Sequence, residues 1–403
     1  MKNKQFAGRL TFLLAATYMV SYVTRINFGA IISEMADSTG FGKSALSMSL
    51  TGSFICYGAG QLISGVLGDK ISPKRLVSVG LGLSVMMNLL IPMCENPNQM
   101  LAVWCVNGLA QAFLWPPMVK IMTQRLSPED YKQAVTKVSW GSSVGTILIY
   151  LLAPILITAA SWHGVFYGSA AAGFLMLVLW NIRATDTKAA EKQSAKRENA
   201  AKILLSPMML MILLAIVLQG MLRDGITTWT PSLIAESFGL SNAVSILTGV
   251  LLPVFSIFSF QAANRLYCKR FENPLACAGL LFGCGGICAV LLYLCFGKSV
   301  SVSAFLCAAL TGCMHGVNLM LVCMLPPFFS KYGNTATVSG VLNACTYIGS
   351  AISTYGIAAF SESFGWKNTV LLWFLIALAG CAICVTCKST WKKRFMDTGR
   401  DVK

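Results

Sequence analysis

The sequence predicts an all-α membrane protein whose twelve transmembrane helices form two pseudo-symmetric six-helix bundles. Hydrophobic residues make up 56% of the 403 residues and charged residues only 11%. Mean hydropathy is +0.67. A soluble core of this composition would leave very little polar surface, so a chain that crosses a bilayer many times is the better interpretation. Long apolar runs, and features of the first half that recur in the second, support this fold class.

The apolar runs are long enough for twelve spans of about twenty residues each. The first run follows a basic start, but it is too long for a signal peptide and has no small-residue cleavage site, so we expect it to be retained. The predicted spans are 8–32, 44–67, 76–94, 100–122, 134–159, 164–182, 206–235, 243–263, 274–295, 301–324, 336–360 and 367–387.

One long polar stretch, RATDTKAAEKQSAKRENAAK, separates span six from span seven. We therefore divide the chain into an N-terminal bundle (1–182), a cytoplasmic linker (183–205), a C-terminal bundle (206–388) and a cytoplasmic tail (389–403). The two bundles would each contain six spans.

The distribution of basic residues predicts the orientation in the membrane. The net charge is +16, and 26 of the 31 Lys and Arg residues lie in, or within four residues of, the N-terminal tail, the even-to-odd loops or the C-terminal tail. The positive-inside rule then places both termini and the linker in the cytoplasm, and the chain in the cytoplasmic (inner) membrane. This distribution explains the charge without a nucleic-acid partner.

The two halves repeat several features at similar spacing. Four pairs lie 198 to 210 residues apart. They are Trp162 with Trp366, Gly145 with Gly349, Pro116 with Pro326, and Arg25 with Arg223. A duplicated six-helix unit with a site near the bilayer midplane is the arrangement of a secondary transporter.

Two arginines lie near the middle of predicted spans. Arg25 lies in SYVTRINFGA and Arg223 in QGMLRDGITTW, each about fifteen residues into its span. An arginine at a span centre costs at least about 2.5–3.5 kcal/mol. Two at matched depth favour an anion bound between the halves, because guanidinium grips phosphate or carboxylate with a planar fork of donors. Tyr18 and Tyr22 share the helical face of Arg25.

The alternative is a structural ion pair, or snorkelling toward the membrane interface. Asp224 follows Arg223 directly, but adjacent residues on a helix do not face each other, so we expect no contact between them. Glu34 is nine residues from Arg25, too far for direct contact. We interpret Lys120 as a charge at the cytoplasmic rim of span four.

The loop after span two reads GVLGDKISPKRL and matches much of the major facilitator signature, G-x-L-x-D-[RK]-x-G-[RK]-[RK]. Ser72 replaces a glycine and Pro73 a basic residue. The matching residues include Gly65, Asp69, Lys70 and Lys74. The resemblance implies that this loop latches the halves on the cytoplasmic side, so Asp69 and Lys70 are gating candidates.

Three stretches, TYMVSYVTRINFGA, NGLAQAFLWPPMVKIM and LRDGITTWTPSLI, resemble the organophosphate:phosphate antiporter family along essentially the whole chain. This family includes glycerol-3-phosphate and hexose-phosphate transporters. The resemblance implies the major facilitator fold and phosphate-gripping roles for Arg25 and Arg223. Its other substrate-binding positions fall on Tyr18, Tyr22, Trp115, Tyr347 and, in place of a tyrosine, His315.

The chain departs from the family pattern at residues that assist phosphate binding in glycerol-3-phosphate members. Gln61 stands where glycerol-3-phosphate members have a lysine, Ser142 where they have a histidine, and Thr248 where they have a glutamate. Gln61 and Ser142 remain candidate substrate-binding residues. With less positive charge, an organic monoanion or a phosphonate also fits the site.

Few acidic residues lie in the spans, and Asp224 is the main coupling candidate. This scarcity favours exchange of one anion for another, because an empty carrier with two uncompensated arginines would not reorient readily. The alternatives are a proton-coupled organic-anion symporter that uses Asp224 or His315, and a transporter-like sensor of sugar phosphates.

Other classes of function have no sequence support. The 15 cysteines lie mostly in apolar runs, typical of small buried residues and not of disulfides. No CxxC…CxxC or HExxH spacing predicts a metal site, and no enzyme motif competes. We expect no cofactor, a monomer, and partners limited to a small anionic substrate and membrane lipid.

Overall fold

A computed structural model describes residues 2–185, 202–239, 251–332 and 334–397, and these ranges are mostly helical. In chain order the helices are α1 (Lys2–Ala30), α2 (Ile32–Thr39), α3 (Lys43–Lys70), α4 (Pro73–Leu90), α5 (Pro97–Ala112), α6 (Trp115–Arg125), α7 (Pro128–Arg183), α8 (Pro207–Phe238), α9 (Leu251–Arg270), α10 (Pro274–Leu294), α11 (Val300–Asn318) and α12 (Thr335–Trp391). Short 3₁₀ or π segments are Ile91–Met93, Leu319–Cys323, Pro326–Tyr332 and Lys392–Met396.

The predicted spans coincide with these helices. Span four is α5 followed by α6, while α7 contains spans five and six and is broken at Ala160 and Ser161. Helix α12 contains spans eleven and twelve and is broken at Gly365. Of span eight, residues 243–250 lie outside the described residues. Within the described ranges, eight helices are long and apolar enough to cross a membrane.

Helix boundaries follow local sequence signals. Several helices begin with a proline that follows a polar residue. The N–H groups in the first turn of a helix have no partner within the helix, so proline, which lacks an N–H, loses no hydrogen bond there. The Asn96 side chain accepts from the Gln99 N–H at 3.0 Å at the start of α5. Gly365 has φ of 77°, a left-handed conformation that glycine adopts without penalty, and it ends the first part of α12.

Packing groups the chain into two compact units. The first comprises Met1–Arg197 and Phe329–Ala344, and the second comprises Glu198–Phe328 and Cys345–Lys403. The first turns of α12 thus pack with the first unit. The two bundles with boundaries at 182 and 206 remain a prediction from the sequence.

In the first unit, glycines bring α1 and α7 into close contact. A Cβ added at Gly141 would lie 2.6 Å from the carbonyl oxygen of Ala15. A Cβ at Gly145 would strike the carbonyl oxygen of Met19 and lie 2.9 Å from Cβ of Tyr22. Small residues allow this backbone approach between membrane helices. The contact fixes α7 beside the part of α1 that carries Tyr22.

The second unit repeats this contact between α8 and α12. A Cβ at Gly349 would strike the carbonyl oxygen of Val217, and a Cβ at Gly220 would strike that of Thr346. Val217 lies 198 residues after Met19, which is also the spacing between the two arginines. Equivalent positions thus make equivalent contacts within each unit, which supports the predicted duplication.

A buried polar network fixes the turn of α1 that carries Arg25. Its members are Thr24, Asn27, Ser84, Asn88, Asn107 and Gln111, all at most 2% exposed. The Asn88 and Asn107 side chains donate to the carbonyl oxygen of Thr24 at 3.0 and 3.1 Å. Gln111 donates to Thr24 Oγ1 at 2.8 Å. Polar groups inside a membrane need such internal partners, so the network holds α1 in one rotation.

Candidate functional site

Arg25 lies against two aromatic rings in the first unit. Its Cζ is 4.4 Å from the ring centroid of Tyr22 and 4.6 Å from that of Tyr57, on α3. Aromatic faces stabilise a cation without contributing negative charge. The two rings therefore make cation–π contacts with this guanidinium. Tyr22 was a predicted site residue. Tyr57, which lies one helical turn before Gln61, was not.

An aromatic row extends from Arg25 along α1. The rings of Tyr18 and Tyr22 are 5.2 Å apart, and Tyr18 is 4.9 Å from the ring of Trp115 at the start of α6. Trp115 is only 3% exposed. The structure therefore brings together four of the predicted site residues. Tyr18, Tyr22 and Arg25 share one face of α1 because of their spacing, and Trp115 of α6 packs against Tyr18 on that face.

Gln61 is fully buried, and neither atom of its side-chain amide has a hydrogen-bond partner among the described residues. Such a group costs free energy until a ligand or water satisfies it. Ser142 differs, since its hydroxyl donates to the Ser139 carbonyl within α7 at 2.7 Å. Of these two substituted family positions, Gln61 is the one that presents unsatisfied donors.

In the second unit, Arg223 and Asp224 form a two-pronged ion pair. Arg223 Nε donates to Asp224 Oδ1 at 2.7 Å, and a terminal nitrogen donates to Oδ2 at 2.8 Å. The other terminal nitrogen donates to Asn318 Oδ1 on α11 at 3.2 Å. Ser350 on α12 donates to Asp224 Oδ2. Three helices thus hold this pair.

The expectation that Asp224 would not meet Arg223 is therefore wrong. The rule for adjacent residues describes the directions in which their Cβ atoms leave the helix. The arginine side chain is long enough to turn back over its own helix and reach the shorter carboxylate. The side chains remain 13% exposed for Arg223 and 32% exposed for Asp224, so the pair is only partly removed from solvent.

His315 and Tyr347 lie on the helices that contribute partners to this pair. His315 on α11 packs edge-on against Phe260, with ring centroids 5.3 Å apart, and interacts electrostatically with Arg223 and Asp224. Tyr347 lies three residues before Ser350 on α12, so the two share a helical face.

Like Tyr57, the residues Asn318 and Ser350 were not among the predicted site residues. A usable signal existed, since Asn318 lies three residues after His315 and Ser350 three residues after Tyr347. A second polar residue at this spacing in an apolar helix extends the polar face by one turn. The π segment Leu319–Cys323 begins directly after Asn318, and such segments are frequent at functional sites.

Asp69 caps the N-terminus of α12. Its carboxylate accepts from the Ala336 N–H at 3.2 Å, the Thr337 N–H at 2.8 Å and the Thr337 hydroxyl at 2.7 Å. An anion is stabilised there because the first N–H groups of a helix lack internal partners and the helix dipole is positive. Lys70, beside it, is exposed.

Lys120 is buried, so its interpretation as a rim charge is wrong. It is 2% exposed, and its Nζ donates to the carbonyl oxygens of Gly68 at 2.8 Å and Asp69 at 3.3 Å. It also lies 3.8 Å from Asp69 Oδ1. The C-terminal carbonyls of α3 and the Asp69 carboxylate supply the acceptors that make burial of an ammonium group tolerable.

Comparisons with known proteins agree on fold and family. Residues 14–354 match the family model of the Major Facilitator Superfamily. A probable hexose phosphate transport protein of Chlamydia pneumoniae is 21% identical, over 94% of this chain and 90% of that protein. A glycerol-3-phosphate transporter of Bacillus subtilis is 23% identical, over 91% and 88%. The crystal structure of the E. coli fucose:proton symporter aligns with a TM-score of 0.76 at 12% identity, over 94% and 98%.

The structural likeness confirms the predicted all-α membrane fold. The relatives confirm the predicted resemblance to the organophosphate:phosphate antiporter family.

Proposed function

Because the chain belongs to the Major Facilitator Superfamily, we propose that it carries a small organic anion, an organophosphate or a similar compound, across the cytoplasmic membrane. Matched relatives named for hexose phosphate and glycerol-3-phosphate transport support a phosphorylated cargo. Arg25 and Arg223 are the proposed cargo-binding residues. The orientation with both termini in the cytoplasm belongs to this proposal.

The observation that carries the proposal is the geometry of Arg223. Its fork holds both oxygens of one carboxylate at 2.7 and 2.8 Å. Here Asp224 stands in for an oxyanion, and a phosphate or carboxylate of the cargo would present the same pair of oxygens. Beside Arg25 lie the rings of Tyr22 and Tyr57. In this proposal these rings, together with Tyr18 and the Gln61 amide, contact the rest of the cargo.

Reconstituted proteoliposomes test the function directly. Labelled glycerol 3-phosphate or glucose 6-phosphate should enter vesicles containing the wild-type protein, and Arg25→Ala and Arg223→Ala should each reduce the initial rate at least about tenfold, the value of one charge-assisted contact. Arg25→Lys serves as the matched control, because it retains the charge but loses the planar fork. Transport by either alanine variant at the wild-type rate would contradict the proposed site.

Two modes of coupling are open to the same site. Exchange should give uptake that is faster when inorganic phosphate is trapped inside the vesicles. Exchange was predicted because an empty carrier would hold two uncompensated arginines, but Asp224 compensates Arg223. The proton-coupled alternative therefore has a specific observation in its favour. Equal uptake into empty vesicles, driven by an inward proton gradient, would exclude obligatory exchange.

A sensor of sugar phosphates would give a different result. It would bind glucose 6-phosphate in a thermal-shift assay but give no flux above that of protein-free vesicles. Robust flux would exclude a pure sensor.

A further inference from the structure

The second unit holds an anion of its own in the place proposed for the cargo. Asp224 occupies the Arg223 fork on both of its oxygens. Ser350 donates to the same carboxylate, and Asn318 accepts from the remaining end of the guanidinium. An oxyanion that approaches Arg223 along this edge must replace Asp224, because two carboxylate-like groups cannot use the same N–H donors fully.

We propose that Asp224 is a built-in counter-ion that the cargo displaces from Arg223, and that takes up one proton when it is displaced. This inference rests on the proposed function. It assigns Asp224 two states: paired with Arg223 when the site is empty, and protonated when the cargo anion is bound.

The placement of Asp224 makes displacement feasible. It is the direct neighbour of Arg223, so the pair opens by rotation of side chains without movement of α8. About a third of its side-chain surface, 32%, is not covered by the described residues. Ser350 on α12 donates to the paired carboxylate, and among the described residues this hydroxyl makes the only hydrogen bond from α12 to Asp224 that displacement must break.

The proton follows from charge balance. A displaced carboxylate would lie beside the bound anion without its cation, and like charges at short range favour the protonated form of one of them. The proton comes from the aqueous phase, and an O–H bond forms at one Asp224 oxygen. When the cargo leaves, Asp224 returns to Arg223 and that O–H bond breaks, which releases the proton to the side where the cargo is released.

The groups around Asp224 come from three helices. Arg223 shares α8, and His315 on α11 is the other titratable group acting on it electrostatically. Ser350 on α12 contributes a hydroxyl, and Asn318 contacts the arginine. His315 is therefore the rival proton acceptor, and the experiment must separate it from Asp224.

The test measures binding and proton uptake on purified full-length protein with glucose 6-phosphate as probe. Asp224→Asn should tighten binding about tenfold, because the internal competitor for the charge-assisted bonds is gone. Wild-type affinity should weaken as pH rises from about 7.5 to 9, a range in which a phosphate monoester stays a dianion. Asp224→Asn should lose this pH dependence.

Proteoliposomes with a trapped pH dye give the second readout. Wild type and His315→Gln should both move one proton with each anion, whatever their rates, whereas Asp224→Asn should move none. Ser350→Ala leaves the charge in place and removes one hydrogen bond to Asp224, so it should tighten binding by a smaller factor. If Asp224→Asn does not fold, the affinity of Ser350→Ala for the probe still tests the proposal.

The results distinguish an error in the proposed function from an error in the role of Asp224. If wild type and Arg223→Ala bind the probe alike, or neither binds, the proposed function is wrong and this inference with it. If wild type binds and transports but Asp224→Asn and Ser350→Ala bind no tighter, the inference alone is wrong. Proton uptake that is lost in His315→Gln but kept in Asp224→Asn would assign the proton to His315, and this result would also contradict the inference.

Discussion

Arg25 lies against two aromatic rings, whereas Arg223 pairs with a carboxylate. The Arg25 guanidinium lies 4.4 and 4.6 Å from the centroids of Tyr22 and Tyr57. Ring faces do not compete with an anion for the charge of the guanidinium. Arg223 already has a charged partner, Asp224. Under the proposed function, an anion that binds Arg223 must therefore replace the Asp224 carboxylate.

The role of Tyr57 can be tested by changing its ring. Tyr57→Ala removes one cation–π contact and should weaken binding of glucose 6-phosphate by about 1 kcal/mol, roughly fivefold in Kd. Tyr57→Phe retains the ring face and should bind within about twofold of wild type. Titration by thermal shift or calorimetry measures both. Equal loss in the two variants would assign the effect to the hydroxyl group instead.

Gln61 offers a test that separates stability from binding. Both polar atoms of its side chain are buried without a hydrogen-bond partner among the described residues. Gln61→Leu removes that unsatisfied group and should raise the free energy of unfolding by about 1 kcal/mol. The same variant should bind glucose 6-phosphate more weakly, because the amide is a proposed contact. Gln61→Leu that is less stable and binds normally would show that the amide has a structural partner.

At the scale of elements, Asp69 joins two helix ends through opposite charges. Its carboxylate accepts from the first N–H groups of α12, while Lys120 from α6 donates to the last carbonyls of α3. Each helix end thus receives a side chain of the sign its dipole favours. We propose that this junction is the cytoplasmic latch.

A double-mutant cycle tests the junction. Asp69→Asn removes the negative charge beside a buried ammonium and should lower the free energy of unfolding by about 2 kcal/mol. Lys120→Met in that background should recover part of the loss, since the unbalanced charge is then gone. Lys70→Ala, at the exposed neighbour, is the matched control and should change stability by less than about 0.5 kcal/mol. Denaturant unfolding in detergent measures all four proteins, and additive losses would exclude coupling between Asp69 and Lys120.

The helices were predictable and some side-chain partners were not. A bilayer imposes one length on every span, so apolar runs between polar loops locate the helices. The faces of Tyr18, Tyr22 and Arg25 followed from helical periodicity. The Arg223–Asp224 pair did not, because Cβ directions say little about a long flexible side chain. Lys120 was misjudged because its acceptors belong to another helix, α3.

At the scale of the whole molecule, the charge bias predicts orientation. Of 31 basic residues, 26 lie in, or within four residues of, segments assigned to the cytoplasmic side. A fluorescent protein fused to the C-terminus should therefore fluoresce in cells, and alkaline phosphatase fused at the same point should be inactive. Phosphatase fused after span one, in the loop near Lys43, should be active. The reverse pattern of activities would contradict the proposed topology.

The glycine contacts of each unit also bear on how the protein can move. Helices that slide past one another usually do so over side chains, which change rotamer as the surfaces shear. At Gly145 and Gly349 the opposing surface is main chain, the carbonyls of Met19 and Val217. A carbonyl oxygen cannot change rotamer, so sliding would collide with backbone. Each of these helix pairs should therefore travel as one rigid body through a transport cycle, and bending must occur elsewhere.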